Sequence, residues 1–453
     1  WLGKGFDWTD VESQKMHALI GQGVAQTIGK ITNERHLDGA YWIHGLDKET
    51  DRFMDIANLV GHTLLVGTTR VGKTRMMELL IAQAIIRNET VIIIDPKGDH
   101  ALAENAKRIC AAMGQPERFV YFHPAHPEKS TPIDPMRNWN RRTELASRVA
   151  ALIPSETGAD PFAAFGWKVL NDIVNGLVAT GVSPNLVHVK RYIEGGADNL
   201  LLNTLRHHFI DTVPEWETRS SSFVKKHRDR ILEAYIEFYK QTAIHEAQSS
   251  DLDGLISTFE HNRDHFQKMV ASLIPILSML TSEPLAELLS PEFKTGDQKR
   301  ATDMAKIINN NQLLYLGLDS LADGTVGSAI GSIMLADLTA VAGDRYNYGI
   351  SSNKPVNLFI DEAAEVINQP TIQLMNKGGG ALFRVTLAMQ TFADLPARLG
   401  DENKARQVLG NINNLIIFRV TDAYTQKYIC DSLPTFKYKS ISMRYGHGAN
   451  AHL

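Results

Sequence analysis

A glycine-rich loop motif constrains the fold of this chain more than any other part of its sequence. The pattern G-x-x-x-x-G-K-[ST] is met at every fixed position by the stretch Gly67-Thr68-Thr69-Arg70-Val71-Gly72-Lys73-Thr74. The apolar run His62–Val66 before it predicts a short buried strand, and residues 75–84 after it predict a helix. A strand, a glycine turn and a helix in this order direct backbone N–H groups and the positive end of the helix at one point, where phosphate groups bind.

The motif predicts both a ligand and a metal ion. We expect Lys73 to place its charge on the β- and γ-phosphates of ATP, and the Thr74 hydroxyl to ligate Mg²⁺. Gly67 and Gly72 let the backbone curl around the phosphates. Residues 67–74 are therefore the predicted binding site for ATP with Mg²⁺. The alternative is a glycine turn between a strand and a helix that carries an incidental lysine.

Length and charge set broad limits on the kind of protein. A chain of 453 residues can form two or three domains, and a net charge of -4 argues against a surface that coats nucleic acid everywhere. A local basic strip, or a basic channel in an oligomer, stays compatible with that charge. The two cysteines, Cys110 and Cys430, cannot form a disulfide framework, which favours a reducing cytoplasm. The sequence has no uninterrupted apolar run long enough to span a bilayer. The chain starts at Trp1 without an initiator Met, which leaves room for an upstream membrane anchor.

The N-terminal segment, residues 1–55, precedes the phosphate-binding region. Thr9 followed by Glu12 has the spacing of a capping box and predicts a helix from Thr9 towards Gln22. Residues 36–45 alternate in a way that predicts a strand.

Strand and helix patterns alternate on both sides of a central interruption. Residues 91–95 and Phe119–Phe122 predict strands separated by a helix at 100–113. The pattern resumes with a predicted helix at 325–342 and with predicted strands at 312–318, 356–361, 385–390 and 415–419. This alternation predicts an α/β fold with a mostly parallel sheet. We expect a RecA-like nucleotide-binding domain in two halves, residues 56–140 and 295–453.

An all-α insertion domain is predicted between these halves, at residues 141–294. Strand patterns are scarce there, and apolar residues recur with the 3.6-residue period of helices. The predicted helices are 143–153, 165–180, 186–192, 200–209, 221–247 and 252–280. Residues 291–297 read as the return linker, and the last stretch, 437–453, is turn-rich.

An acidic pair and an amide follow two of the predicted strands. Asp361 and Glu362 come after an apolar strand, as in a Walker B element. Asp361 is expected to hold Mg²⁺ through water, and Glu362 to orient or deprotonate the attacking water. Gln390 ends the following strand and is expected to sense the γ-phosphate, although it could instead cap a turn. Asp95 and Lys97, which we expect on the strand next to the phosphate loop, could serve the site or merely shape a turn.

Charged residues elsewhere suggest further roles. Arg384 and Arg419 are candidates for an arginine that stabilises charge on the phosphate in a neighbouring subunit, and either could instead form an ion pair. His261 and His265 have the spacing of a zinc pair, but Asn262 stands where a metalloprotease has glutamate, so a helix surface or core is favoured. A basic cluster in the insertion could contact phosphates or form a solvated face; it consists of Arg219, Lys225, Lys226, Arg228 and Arg230.

Taken together, these motifs resemble those of the type IV coupling proteins. These are the TraD/TraG-like hexameric ATPases of conjugation and type IV secretion, which are grouped with FtsK-type motors. The resemblance covers nearly the whole chain and is carried by residues 67–74, 94–99, 361–362, 389–391 and 2–6 and by the helical insertion. The turn at residues 377–380 departs from many relatives because no arginine follows its Lys-Gly, and this shifts the predicted arginine finger to Arg384.

The resemblance implies a location and a set of partners. It implies a homohexameric ring, anchored on the cytoplasmic face of the bacterial inner membrane, that passes single- or double-stranded DNA through its channel. It implies recruitment of a relaxase with its DNA to components of a type IV secretion channel, with the insertion as the receptor for relaxosome or effector proteins.

Three functions stay open on the sequence. The first is a DNA translocase of conjugation driven by ATP hydrolysis. The second is a receptor or gate of a secretion system, in which ATP binding controls docking and assembly. The third is a DNA-processing motor of the FtsK kind.

Overall fold

The structure is a computed structural model that describes residues 1–23, 41–153, 161–228, 230–260, 273–291, 301–349, 354–435 and 437. Its strands are β1 (Gly3–Gly5), β2 (Thr50–Arg52), β3 (His62–Val66), β4 (Thr90–Asp95), β5 (Phe119–Phe122), β6 (Leu313–Gly317), β7 (Val356–Ile360), β8 (Phe383–Met389) and β9 (Ile412–Ile417).

Helices make up most of the remaining secondary structure. The α-helices are α1 (Asp10–Gly21), α2 (Lys73–Ile86), α3 (His100–Ala112), α4 (Arg142–Ala150), α5 (Pro161–Ala179), α6 (Leu186–Gly195), α7 (Asp198–Thr212), α8 (Trp216–His227), α9 (Ile231–Gln241), α10 (Ser250–Glu260), α11 (Leu273–Leu280), α12 (Leu285–Leu289), α13 (Met304–Asn309), α14 (Gly324–Tyr348), α15 (Gln369–Lys377), α16 (Asp394–Leu399), α17 (Glu402–Gly410) and α18 (Ala423–Ser432).

Two compact units divide the chain. One contains Trp1–Ile56 and Arg419–Leu453, and the other contains Ala57–Phe418. In the smaller unit, β1 and β2 pair as an antiparallel hairpin. The predicted capping box is confirmed, since Thr9 and Glu12 cap the start of α1 reciprocally. The strand predicted at 36–45 is wrong for Tyr41–Gly45, which form a 3₁₀ turn, and its first residues lie outside the described part of the chain.

A seven-stranded parallel sheet is the centre of the larger unit. Its strand order is β5-β6-β4-β7-β8-β3-β9, so the sheet takes strands from both sides of the insertion. Every residue of β3, β4, β6 and β7 is buried, as expected of parallel strands covered on both faces. The predicted α/β fold with a mostly parallel, RecA-like sheet is confirmed.

The strand order corrects one prediction about the site. β4 does not lie beside β3, because β7 and β8 stand between them. The order arises from crossover connections, which the order of strands along the chain does not fix. As a result, β8 separates the phosphate-loop strand from the strand that precedes Asp361, and Gln390 follows the strand in the middle.

Helices α2 and α3 pack on one face of the sheet. Met77, Ile81, Ala106 and Cys110 from these helices share one buried cluster with sheet residues such as Ile93. Among the described residues, α14 is the longest apolar helix. It is long and apolar enough to cross a membrane, but 72% of its most apolar stretch is buried inside the protein, so here it is a core helix.

The described residues of the insertion form helices α4 to α12, joined by turns, and no strand. The predicted helix at 221–247 is wrong as a single helix, because the chain breaks between α8 and α9. At the break Arg228 has a φ of 55°, a left-handed conformation that ends a right-handed helix. The predicted helix at 252–280 corresponds to α10 and α11, with residues 261–272 outside the described part.

A buried charge pair joins the insertion to the sheet domain. Arg148 on α4 is 1% exposed and Asp337 on α14 is fully buried, with 3.3 Å between Nη1 of Arg148 and Oδ1 of Asp337. Nη1 also donates to the carbonyl oxygens of Pro135 at 2.8 Å and Asn138 at 2.5 Å. Burial raises the pKa of the Asp337 carboxyl to about 7, although the positive charge of Arg148 opposes that increase.

Candidate nucleotide site

Loops that follow four strands of the sheet meet at its carboxyl edge. They are the loop after β3, the Asp361-Glu362 pair after β7, Lys97 after β4 and Gln390 after β8. The loops after β3, β4 and β7 enclose a cleft of about 400 Å³, which is lined by Thr68, Thr69, Arg70, Gly72, Lys73, Thr74, Arg75, Lys97, Asp361 and Glu362. Ligands of open α/β sheets bind at this edge.

The phosphate-loop backbone depends on Gly72. Gly72 has a φ of 100° and forms the N-cap of α2, which begins at Lys73. A side chain there would find space, since its first atom would approach nothing closer than a ring carbon of Phe418 at 3.8 Å. The left-handed conformation, rather than crowding, therefore favours glycine at this position.

The Lys73 side chain lies inside the loop. Its Nζ donates to the carbonyl oxygens of Gly67 at 2.6 Å and Thr68 at 3.0 Å, and the residue is 7% exposed. Burial lowers the pKa of the ammonium group, while the negative charges of Glu362 and Asp361 oppose that decrease. The loop thus holds a cation at the point where the sequence predicts the β- and γ-phosphates.

Asp361 and Glu362 face the same cleft from β7. The backbone N–H of Asp361 donates to the carbonyl oxygen of Ile94, and that of Glu362 donates to Oδ1 of Asp361 at 3.0 Å. Glu362 has a φ of 39°, which turns the chain sharply after the strand. Burial raises the pKa of Asp361 to about 6, and the charges of Asp95 and Glu362 raise it further.

Two residues hold the Glu362 carboxylate. Nζ of Lys97 lies 2.6 Å from Oε1 of Glu362, and Nε2 of Gln390 donates to the same oxygen at 3.2 Å. Gln390 therefore contacts the acidic pair directly. Sequence reasoning placed Lys97 and Gln390 near the site, but it missed that both bind one oxygen of Glu362.

Asp95 shapes the turn after β4. Its Oδ1 accepts from the N–H of Lys97 at 3.0 Å, and its Oδ2 accepts from the N–H of Asp99 at 2.6 Å. The Tyr315 hydroxyl donates to Oδ2 at 2.7 Å. The sequence left open whether Asp95 and Lys97 serve the site or shape the turn. In the structure, Asp95 shapes the turn, whereas the Lys97 side chain lies in the site.

Arg384 lies away from this cluster. It is the second residue of β8, so it stands at the amino edge of the sheet, opposite the phosphate loop. Its Nη1 lies 3.1 Å from Oε1 of Glu89, and its side chain is 16% exposed. Arg87 and Asn357 also bind Glu89. Within its own chain, Arg384 thus has the ion-pair role that was the alternative to an arginine finger. Its role in a neighbouring subunit stays a prediction, as does that of Arg419.

Ion pairs occupy part of the basic cluster on the insertion. Arg219 pairs with Glu246, and Lys226 and His227 both pair with Glu237. These carboxylates compensate the positive charge locally, which favours the solvated-face interpretation. The proposed pair of His261 and His265 lies outside the described part of the chain.

Fold and site together define the class of the protein: it has the RecA-like α/β architecture and the phosphate loop of P-loop nucleotide-binding proteins. Two family models match the sequence. Residues 54–227 match the type IV secretion-system coupling protein DNA-binding domain, and residues 355–452 match the TraM recognition site of TraD and TraG. The two matches span more than half of the chain. The chain belongs to the type IV coupling proteins, which confirms the resemblance and a coupling function in DNA transfer.

Solved structures with the same fold support the architecture. An unbound form of the bacterial conjugative coupling protein TrwBdeltaN70 superimposes with a TM-score of 0.50 at 14% identity, covering 80% of this chain and 69% of that one. The plasmid coupling protein TrwB in complex with the non-hydrolysable GTP analogue GDPNP gives a TM-score of 0.51 at 14% identity, covering 81% and 74%. No curated protein sequence matches the chain significantly.

Proposed function

We propose that this chain is a P-loop ATPase that couples ATP hydrolysis to the translocation of DNA during bacterial conjugation. One observation carries the proposal: Lys73 on the phosphate loop and Glu362 after β7 line the same cleft, although 289 positions separate them along the chain. A phosphate-binding cation and a carboxylate able to orient water are two of the groups that act in hydrolysis of ATP.

The residues of the cleft divide the work of hydrolysis. Residues 67–74 bind the phosphates, and Lys73 places its charge on the β- and γ-phosphates. Glu362 orients the attacking water and accepts its proton. Gln390 senses whether a γ-phosphate is present and transmits this to Glu362 through their hydrogen bond. Arg384 stays the sequence-based candidate for an arginine finger in a neighbouring subunit, and its ion pair with Glu89 is the alternative role.

The site fits a magnesium ion. Thr74 and Asp361 both line the cleft, and hydroxyl and carboxylate oxygens are ligands that Mg²⁺ accepts. Within the described residues no group of three or more His, Cys, Asp or Glu forms a metal site, so phosphate oxygens and water would complete the coordination. The ion would neutralise the charge of the phosphates during hydrolysis. The raised pKa of Asp361 fits this role, because a bound cation would favour the ionised carboxylate.

The family supports a proposal for the partners and the location. The DNA-binding domain model covers 54–227 and therefore includes the phosphate loop and part of the insertion. We place the substrate DNA, single- or double-stranded, in the channel of a homohexamer anchored on the cytoplasmic face of the inner membrane. The ring would receive a relaxase–DNA complex and deliver it to the type IV secretion channel. The domain boundaries 1–55, 56–140, 141–294 and 295–453 are part of this proposal.

A second function is favoured by the other family model. Residues 355–452 match a TraM recognition site, which is a protein-docking function. In that case the chain would act as a receptor or gate whose docking is controlled by ATP binding. A motor of the FtsK kind, the third alternative, would lack binding to a relaxase.

Hydrolysis of ATP by the purified chain, with and without DNA at low and moderate salt, tests the proposal. A translocase would show DNA stimulation that weakens steeply with salt, because its phosphate contacts release counterions. Glu362→Gln should lower kcat by about 10²–10⁴-fold and keep nucleotide binding, since it removes the base and not the phosphate loop. Lys73→Ala should lose nucleotide binding itself.

A matched control is Lys107→Met, which removes an exposed lysine of α3 and should leave the rate unchanged. Hydrolysis that ignores DNA would support the receptor or gate. DNA-stimulated hydrolysis without binding to any relaxase would support the FtsK-like motor.

A further inference from the structure

We propose that Lys97 is a positioning residue for Glu362: together with Gln390 it fixes Oε1 of the carboxylate and leaves Oε2 to meet the attacking water. The inference rests on the proposed function, because it assigns a helper to the group that acts on water. The observation beneath it, a contact between two charged side chains, does not depend on that function.

The geometry of the carboxylate separates its two oxygens. Lys97 approaches Oε1 from the loop after β4, at 2.6 Å, and Gln390 approaches it from the loop after β8, at 3.2 Å. Among the described residues no group donates a hydrogen bond to Oε2. A carboxylate held by one oxygen keeps a fixed orientation and presents the other, which is what a base needs to abstract a proton from a defined water.

Hydrogen bonds fix the turn that carries Lys97. Asp95 binds the N–H of Lys97, and the Tyr315 hydroxyl binds Asp95 from the neighbouring strand β6. Asp99 continues this turn, since its side chain accepts from Ala101 and caps α3. The ammonium group therefore reaches Glu362 from a fixed backbone rather than from a free loop.

The charge environment favours the contact. Burial lowers the pKa of Lys97, but the hydrogen bond to Glu362 and the negative charges of Glu362, Asp361 and Asp95 outweigh it, so the pKa is raised overall. The Lys97 side chain is still 44% exposed, whereas that of Glu362 is 10% exposed. The lysine is therefore accessible to a reagent.

Competitive labelling of lysine amines tests the contact without any nucleotide. Acetic anhydride reacts with the neutral amine, so an amine held protonated by a carboxylate reacts slowly. In the Glu362→Gln chain, Lys97 should react at least about 3-fold faster than in the wild type, measured by peptide mass spectrometry. Lys107 on α3 is the internal control and should react equally in both chains. Equal reactivity of Lys97 in the two chains would overturn the proposal.

Steady-state kinetics test the positioning role. Lys97→Met should lower kcat by about 10–100-fold and change the KM for ATP little, because a misplaced base impairs the chemical step rather than binding. Lys97→Arg keeps a charged donor and should recover at least about tenfold of the loss. A rise in KM at constant kcat, or no rescue by arginine, would overturn the role.

The two proposals fail differently. A wild-type chain that hydrolyses no ATP would refute the proposed function, and the labelling result would still decide whether Lys97 holds Glu362. A wild-type chain that hydrolyses ATP, with a Lys97→Met variant of equal kcat, would refute the positioning role alone.

Discussion

Replacing Asp337 by asparagine should stabilise the protein above neutral pH and have little effect in acid. Asp337 is fully buried in the middle of α14, and Arg148 is its ion-pair partner. Burial raises the pKa of Asp337, and the negative charges of Asp303 and Asp134 raise it further. Neither carboxylate oxygen meets the full geometry of a hydrogen bond with a described residue, and the nearby Arg148 and Asn138 oppose the increase in its pKa without cancelling it. Ionisation of a buried carboxyl group costs free energy, because the charged form loses its hydration and the surrounding groups do not replace it.

The magnitude follows from the pKa. Burial raises the pKa of Asp337 from 3.8 to about 7, and each unit corresponds to about 1.4 kcal/mol, so the upper limit is about 4 kcal/mol. Between these two values the folded chain binds the proton more tightly than the unfolded chain. The contribution of Asp337 is therefore fully present below pH 4 and is lost as the pH rises towards about 7. Asparagine does not ionise and escapes this loss.

Pulse proteolysis in urea measures the free energy of unfolding for the wild type and for Asp337→Asn at each pH. The difference should grow by about 1.4 kcal/mol per pH unit between about pH 4.5 and 6.5 and should level off above about pH 7. Asp344→Asn is the matched control, because it removes a carboxylate from a solvent-accessible position of the same helix. A difference that is independent of pH, or that falls as the pH rises, would refute the reasoning.

Two further predictions concern charges that the sequence left open. Arg384→Met should destabilise the chain by about 1–2 kcal/mol, because it leaves Glu89 with one charged partner fewer, and should change kcat less than tenfold; a loss of about 10³-fold at unchanged urea stability would instead identify an arginine finger. Neutralising Lys225, Lys226 and Arg228 together should leave DNA affinity within about 2-fold and its salt dependence unchanged, because part of this charge is already paired within the insertion. If these residues bound phosphates, a titration of affinity against salt would show a slope reduced by about three.

Local structure followed closely from the sequence. β3 and β5 have the predicted bounds, and the capping box of α1 forms as its spacing predicted. These features depend on periodicity and on hydrogen bonds between residues a few positions apart, which a single segment contains. The break at Arg228 was missed because the apolar residues recur with the helical period on both sides of it. A single residue with positive φ does not interrupt that period.

The sequence by itself determined that this is a chain with a phosphate loop, an acidic strand end and a helical insertion. Each of these is a property of residue types at fixed spacing, and each can be read before any distant contact is known. The fold class and the protein family followed from the same motifs.

Only the tertiary structure decided which side chains share the site. Lys97 and Glu362 bind each other across 265 positions of sequence, and β8 rather than β4 lies beside the phosphate-loop strand. Arg384 stands at the far edge of the sheet, and Asp337 is buried against Arg148. The physical reason is that strand order and burial arise from crossovers and from packing between distant segments, which no local pattern encodes.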